Sequence, residues 1–241
     1  MKILSIGNSF SQDAQRYLHA LAKCEGVEIK TVNLYIGGCS LKTHYENISE
    51  NKRAYAFEFN GEKTGIAVSV NDALMSDEWD YVTLQQVSSE SGNFESYTPY
   101  IETLSDYVKE HCPNAKIILH ETWAYEDGSE LLSAKTPFKS AEEMLSAAQK
   151  AYRKARELIS ADGIIPSGTA MMEALKLGIK KIHRDTLHAS LGMGRYLLSL
   201  LWYKYFTGND IKNNKFDTLD EPITEEEREI VIKAVNYALD N

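Results

Sequence analysis

The feature that most constrains the fold of this chain is a regular alternation of short apolar segments with longer amphipathic ones. Strands are predicted at residues 2–6, 27–35, 80–86, 116–120 and 163–166, and helices at 12–24, 100–111, 141–159, 167–177, 190–206 and after Thr224. Strands that are separated by helices pair in parallel and are covered on both faces. The pattern predicts an α/β fold, a three-layer α/β/α sandwich with a mostly parallel central sheet. No linker or repeat divides residues 1–241, which predicts one domain.

Two local motifs refine this outline. Asn60-Gly61 lies between two strand-like segments, 55–59 and 64–68, and predicts a β-hairpin that we expect as an appendage to the main sheet. Thr224 with Glu227 three residues later forms a capping box, which predicts the start of the last helix.

The charge of the chain limits its partners. The formal net charge is −9, from 35 acidic and 26 basic residues, and no cluster of lysine or arginine is present. A nucleic-acid-binding face needs basic residues, so nucleic acid is not an expected partner. No apolar run approaches the ~18 residues that a membrane span requires. A membrane is therefore not an expected partner either, and the sequence says nothing about oligomeric state.

Cysteine usage and the N-terminal residues bear on cofactors and localisation. The three cysteines, Cys24, Cys39 and Cys112, are odd in number and lack metal-site spacing, so neither a disulfide framework nor a metal cofactor is expected. Met1-Lys2 runs directly into the first strand without a basic and then apolar leader. This favours the cytoplasm, although a trimmed secreted form would have the same sequence.

Polar residues at the predicted strand ends are candidates for chemistry, because ligands of open parallel sheets bind beyond the carboxyl ends of the strands. They are Ser9, Gly37-Gly38, Gln85-Gln86, His120-Glu121 and Ser167. A second group, Asp185 and His188, lies near the start of the helix predicted at 190–206, three residues apart. A serine hydroxyl needs a base such as histidine to become a nucleophile, and an aspartate orients that base. The three residue types therefore fit a serine hydrolase, whereas a lone serine at such a corner is ordinarily a helix cap.

These blocks resemble those of the SGNH, or GDSL-like, hydrolase family, near its carbohydrate esterases. "GNSFS" corresponds to the family's nucleophile block and "DTLH" to its D-x-x-H block, so the resemblance implies Ser9 as nucleophile, His188 as base and Asp185 as orienting acid. "GGCS" matches the glycine block, where Gly38 fits better than Gly37. The blocks occur in the family's order across nearly the whole chain, and the resemblance implies a flavodoxin-like SGNH hydrolase architecture.

The chain departs from the family pattern at two places. The aspartate of Gly-Asp-Ser is Asn8, which can still brace the corner by hydrogen bonds. The third block, G-x-N, is absent, and "VTLQQVSSESG" stands in its place. The expected oxyanion hole is the backbone N–H groups of Ser9 and Gly38 with the amide of Gln85. Because Gln86 and Ser88 are alternatives, the choice of Gln85 depends on the resemblance.

Four other features have both a functional and a structural interpretation. Cys39 with His44 could be a cysteine nucleophile, but packing is the usual role of such a cysteine. His120-Glu121 could line a pocket, and it lacks the second histidine of a zinc motif. Trp123 and Tyr125 could stack against a sugar or pack the loop. Arg184 could contact substrate or form a surface ion pair.

The residues and the resemblance together predict an SGNH-type serine esterase that hydrolyses acyl esters without a cofactor, and the resemblance alone implies acetyl groups on a carbohydrate as the substrate. The alternative is a non-catalytic carbohydrate- or ligand-binding protein on the same scaffold, which the missing G-x-N block keeps open. A nucleotide-binding protein fits less well, because no glycine-rich phosphate loop follows the first strand.

Overall fold

The computed structural model describes residues 1–240 and has a seven-stranded sheet between two layers of helices. The strands are β1 (Lys2–Gly7), β2 (Lys30–Tyr35), β3 (Tyr55–Phe59), β4 (Glu62–Val68), β5 (Tyr81–Leu84), β6 (Lys116–His120) and β7 (Gly163–Ile165). The helices are α1 (Ser9–Gln15), α2 (Leu18–Cys24), α3 (Leu41–Ser49), α4 (Val70–Leu74), α5 (Tyr100–His111), α6 (Glu130–Lys135), α7 (Ala141–Ile159), α8 (Ser167–Lys176), α9 (Met193–Thr207) and α10 (Glu225–Asp240).

The predicted α/β/α sandwich with a mostly parallel sheet is confirmed. The strand order is β4-β3-β2-β1-β5-β6-β7, and the five strands from β2 to β7 in that order are parallel. One face of the sheet packs against α1, α2, α8, α9 and α10, and the other against α3, α4, α5 and α7. The carboxyl end of the central strand β1 therefore opens directly onto α1.

The hairpin at Asn60-Gly61 forms as predicted, but its expected position outside the sheet is wrong. Strand β3 pairs antiparallel with β2, and β4 pairs antiparallel with β3, so the hairpin extends the sheet by two strands. Pairing satisfies the backbone groups along the outer edge of β2, which would otherwise be left open.

The single helix predicted at 12–24 is two helices, which is a second correction. The first begins at Ser9, because the side chain of Asn8 caps it. It ends before Tyr17, whose backbone N–H donates to Ser199 Oγ on α9 at 3.3 Å instead of continuing the helical ladder. A partner 182 residues away decides this break, and a local pattern cannot predict it.

Helices α3, α4 and α6 lie where the sequence pattern predicts no element, whereas α5 and α7 have the predicted bounds. The capping box at Thr224 and Glu227 also forms. Among the helices of residues 1–240, none has both the length and the apolar composition that crossing a bilayer requires.

Candidate active site

The serine corner lies at the carboxyl end of β1. Gly7 ends the strand, and a Cβ at Gly7 would lie 2.0 Å from Ser11 Oγ, so the corner closes this tightly only with glycine. Ser9 is the first residue of α1, and 9% of it is exposed. The strand and helix thus present one serine at the open end of the sheet.

Asn8 connects this corner to the loop that follows β2. Its Oδ1 accepts from the backbone N–H of Phe10 at 2.9 Å, and its Nδ2 donates to the carbonyl oxygen of Cys39 at 3.1 Å. An ionised aspartate could make the first of these bonds but not the second, because it has no N–H. The asparagine therefore braces the loop that carries Gly38.

Asp185 and His188 lie in an irregular loop just before α9, near the start of that helix as expected from the sequence. The backbone N–H of Arg184 donates to the carbonyl oxygen of His188 at 2.9 Å and closes the loop. Thr186 has a φ of +68°, which a helix does not allow. Asp185 Oδ1 accepts the backbone N–H groups of Leu187 at 3.3 Å and His188 at 2.7 Å, so the carboxylate organises its own loop.

The structure brings Ser9, His188 and Asp185 together, although 179 residues separate the serine from the histidine. His188 Nε2 lies 2.8 Å from Ser9 Oγ, and His188 Nδ1 lies 2.8 Å from Asp185 Oδ2. The carboxylate can only accept, so Nδ1 carries the proton and Nε2 is free to accept from the hydroxyl. This arrangement can remove a proton from Ser9 Oγ.

The charge state of Asp185 suits this arrangement. Partial burial acts to raise the pKa of Asp185, but hydrogen bonds from the backbone and ring of His188 and from the backbone of Leu187 outweigh it. The pKa therefore lies below its ordinary value, and the carboxylate is ionised at neutral pH.

Two backbone N–H groups at the corner are available to a ligand. Within residues 1–240, neither the Ser9 nor the Gly38 N–H donates to another protein group. The first is at the start of α1, where helical N–H groups have no helical partner. Gly38 has a φ of +62°, a left-handed conformation that favours glycine.

Gln85 is buried behind this corner, in a chain of side-chain hydrogen bonds. Its Nε2 donates to Asn8 Oδ1 at 2.7 Å, and its Oε1 lies 2.9 Å from His120 Nδ1. The N–H of Phe10 requires an oxygen at that position of Asn8, so Gln85 must present its nitrogen there and its oxygen to His120. His120 Nδ1 is then the protonated nitrogen. One N–H of the Gln85 amide donates to Asn8, and the other donates to no protein group in the part of the chain that the structure describes.

The two alternatives to Gln85 have partners elsewhere. Gln86 Oε1 accepts from the backbone N–H of Leu41 at 3.0 Å, and its Nε2 donates to the carbonyl oxygen and hydroxyl of Ser96, both at 3.0 Å. Ser88 Oγ lies 3.0 Å from Tyr125 Oη. The role of Gln85 as an oxyanion donor stays a prediction.

His120 and Glu121 are buried at the end of β6 rather than lining an open pocket. Burial lowers the pKa of His120 to about 3, so the ring is neutral. Burial also raises the pKa of Glu121 to about 7, against the opposing effect of hydrogen bonds from the backbone and hydroxyl of Thr169, both 3.0 Å from Oε1. This carboxyl therefore titrates near neutral pH.

We expect replacement of Glu121 by glutamine to change how stability depends on pH. An acid whose pKa is raised by folding stabilises the folded state while it is protonated. That contribution is complete below the ordinary pKa of 4.5 and is lost as pH rises through 7. Glutamine keeps an oxygen for Thr169 and does not ionise. The free energy of unfolding of Glu121→Gln relative to wild type should therefore rise by on the order of 3 kcal/mol between pH 4.5 and 8. Urea unfolding at several pH values measures this, and a difference that does not change with pH would contradict it.

Trp123 and Tyr125 pack the interior in this structure. Trp123 is 1% exposed and stacks on Phe10 with ring centroids 3.8 Å apart. Tyr125 is 4% exposed and pairs with Ser88. Neither ring offers a free face for a sugar, so the structural interpretation of these aromatic residues applies.

Cys39 and His44 also form a buried packing cluster. Cys39 Sγ lies 3.4 Å from His44 Nδ1, which is 2.9 Å from Tyr55 Oη. Burial raises the pKa of the Cys39 thiol to about 12 and lowers that of His44 to about 3. A thiol that remains protonated is a weak nucleophile, which argues against cysteine catalysis.

A family model, "Domain of unknown function (DUF4886)", matches residues 2–238. The chain belongs to the DUF4886 family. A crystal structure of a DUF4886 family protein from Bacteroides uniformis is 34% identical, and the alignment covers 99% of this chain and 94% of that chain with a TM-score of 0.93. No curated protein matches the sequence.

More distant structures show that this DUF4886 protein has the fold of SGNH hydrolases. A putative SGNH hydrolase from Slackia heliotrinireducens is 21% identical with a TM-score of 0.60, and the match covers 86% of this chain and 98% of that one. An acetyl xylan esterase from Geobacillus stearothermophilus is 17% identical with a TM-score of 0.55, covering 86% and 94%. The resemblance predicted from the sequence blocks is therefore confirmed at the level of fold.

The sequence analysis of this DUF4886 protein missed Asp13, a residue of the candidate site that pairs with Arg184. Arg184 does not pair with the neighbouring Asp185 at the surface, and its Nη1 lies 3.0 and 2.9 Å from the two carboxylate oxygens of Asp13. Asp13 is fully buried. Its position four residues after Ser9, on the same face of a helix, is the only sequence signal that links it to the serine.

Proposed function

We propose that the protein is a serine esterase of the SGNH type, with Ser9 as nucleophile, His188 as general base and Asp185 as the residue that orients His188. The observation that carries the proposal is the continuous chain from Ser9 Oγ through both ring nitrogens of His188 to Asp185 Oδ2, with 2.8 Å at each step. A serine that only capped α1 would not need this chain, because Asn8 already caps that helix.

The reaction follows from the protonation states at these atoms. Ser9 Oγ attacks the ester carbonyl while its proton moves to His188 Nε2, and Asp185 stabilises the imidazolium that forms. The imidazolium then gives the proton to the leaving alcohol as the C–O bond breaks. Water attacks the acyl-enzyme by the same route in reverse and releases the acid and free Ser9.

The oxyanion of each tetrahedral intermediate needs preset donors. The free N–H groups of Ser9 and Gly38 supply two, and we propose the second N–H of the Gln85 amide as the third. Gln85 is favoured over Gln86 because it is bonded to Asn8, the neighbour of the nucleophile, whereas Gln86 is engaged by Leu41 and Ser96.

For the substrate, we propose acyl esters with a short acyl group, acetyl foremost, on a carbohydrate. Support comes from fold neighbours that include acetyl xylan esterases. Acetate release from acetylated xylo-oligosaccharides, compared with hydrolysis of 4-nitrophenyl acetate and octanoate, tests both parts of the substrate. Faster hydrolysis of the octanoate would contradict the short acyl group.

A fluorophosphonate probe tests the mechanism directly. We expect one adduct per chain, located on Ser9 by peptide mass spectrometry, together with loss of acetate ester hydrolysis. A protein that binds acetylated oligosaccharides but neither turns over esters nor reacts with the probe would be the non-catalytic binding protein instead.

We expect Gln85→Ala to lower kcat by about 10² to 10³ with little change in KM, because one oxyanion donor is lost. Gln86→Ala is the matched control, since its side chain faces the other side of the sheet. Steady-state kinetics on 4-nitrophenyl acetate measures kcat and KM for both variants. Urea unfolding checks that the cavity left by the truncated glutamine has not unfolded either of them. A slow Gln86→Ala beside a fast Gln85→Ala would move the role by one residue.

A further inference from the structure

Asp13 connects the two halves of the candidate active site. Its carboxylate accepts from Arg184 Nη1, from Arg195 Nε at 2.8 Å and from the backbone N–H of Ala189 at 3.2 Å. Arg184 Nη1 also donates to the carbonyl oxygen of Ala189. Asp13 is on α1 with Ser9, so a single buried carboxylate binds both helix and loop.

The two loop residues that Asp13 holds are the immediate neighbours of the functional pair. Arg184 precedes Asp185 and Ala189 follows His188, so both ends of the Asp185–His188 turn are fixed to α1. Within the turn, Asp185 and His188 hold each other by local bonds that do not involve Asp13. Asp13 can therefore affect the position of the His188 imidazole relative to Ser9, but it does not affect the hydrogen bond between His188 and Asp185.

The connection from Ser9 through Asp13 to the Asp185–His188 turn is rigid. Asp13 lies four residues after Ser9 in one helix, about 6 Å along its axis. Arg195 at the start of α9 holds the carboxylate from the other side and also donates to Asp220 Oδ2 at 2.7 Å. A buried carboxylate with two arginine partners cannot swing away without leaving charges unpaired.

We propose that Asp13 is the positioning residue that sets the distance from His188 Nε2 to Ser9 Oγ, by clamping the Asp185–His188 turn onto the helix of the nucleophile. This inference rests on the proposed function. It assigns to Asp13 no contact with substrate, and it predicts that the residue acts only through His188.

A double-mutant cycle tests this dependence. Asp13→Asn should lower kcat on 4-nitrophenyl acetate by about 10²-fold with KM unchanged, because a displacement of about 1 Å misaligns the base. In a His188→Ala background, the same change should alter the residual rate of 4-nitrophenyl acetate hydrolysis by no more than about twofold. Equal losses in both backgrounds, or full activity of Asp13→Asn, would overturn the proposal, since a purely structural residue affects both backgrounds alike.

Ser199→Ala is the matched control. Ser199 is buried on α9 and bonds to Tyr17 and Ala14 of the neighbouring segment, so its loss loosens the same α1–α9 packing without touching the loop. The kcat of Ser199→Ala should stay near the wild-type value even if this variant loses as much free energy of unfolding as Asp13→Asn. If Asp13→Asn does not fold, Arg184→Met removes the arginine contact from the loop and leaves Asp13 bonded to Arg195 and to the backbone N–H of Ala189. Arg184→Met should also lower kcat, and a wild-type kcat of this variant would overturn the proposal.

A crystal structure of the Asp13→Asn variant, or of Arg184→Met, separates this inference from the proposed function. We expect the Asp185–His188 bond to persist while His188 Nε2 moves out of hydrogen-bond range of Ser9 Oγ. An unchanged 2.8 Å contact would overturn the positioning role even if the wild-type protein hydrolysed no ester. A wild-type protein that fails to hydrolyse esters while the displaced turn is observed would overturn the proposed function alone.

Discussion

Ser9→Ala should lose about 10⁴ to 10⁶ in turnover on a simple acetate ester while remaining fully folded. Within the described residues 1–240 the hydroxyl is bonded to His188 alone, and the cap of α1 comes from Asn8 rather than from Ser9. Alanine is also a good helix former, so the variant should be at least as stable as wild type. Steady-state hydrolysis of 4-nitrophenyl acetate and thermal unfolding measure the two properties.

Ser49→Ala is the matched control, because Ser49 is an exposed helical serine on α3. It should retain both turnover and fluorophosphonate labelling. Residual turnover of Ser9→Ala within tenfold of wild type, or probe attached to any other residue, would mean that Ser9 is not the nucleophile.

Asp185→Asn should lower turnover by about 10⁴ without loosening the loop. The amide oxygen can keep the backbone N–H groups of Leu187 and His188, but its NH₂ then faces the ring at Nδ1. Nδ1 must accept, so the proton moves to Nε2, which can no longer take the proton of Ser9. Hydrolysis kinetics beside circular dichroism distinguishes this effect from unfolding.

Asp106→Asn, an exposed aspartate on α5, controls for the loss of one negative charge. Half of the Asp185 side chain is exposed, so solvent reaches the carboxylate. A variant within tenfold of wild type would show that water can orient His188 in its place, and the triad would reduce to a dyad.

The sequence predicted the elements whose signals are local. Periodicity places β1, α5, α7 and the last helix, and the strand ends select Ser9, Gly37-Gly38 and Gln85-Gln86 as candidates at one edge of the sheet. The Asp185–His188 pair was also readable, because three residues of separation allow the two side chains to meet without help from the rest of the fold.

The sequence determined that Gln85 and Gln86 face opposite sides of the sheet, but not which residue faces which side. Strand alternation requires Gln85 and Gln86 to point to opposite faces. In a sheet that is buried on both sides, apolar patterning does not tell the two faces apart. The packing decided it, since α1 with Asn8 covers one face, and Leu41 and Tyr152 cover the other.

The tertiary structure alone decided the features that depend on partners far along the chain. The helix break at Tyr17 depends on Ser199, the hairpin joins the sheet through β2, and Asp13 meets Arg184 across 171 residues. The physical reason is the same in each case. A periodic pattern indicates which side of a segment is buried. Which polar residue that side contacts depends on how the helical layers pack against the sheet. The sequence by itself determined the sandwich and the candidate nucleophile, base and acid. Only the packed fold brought the base to the nucleophile and revealed that the buried carboxylate of Asp13 joins the nucleophile's helix to the loop of the base.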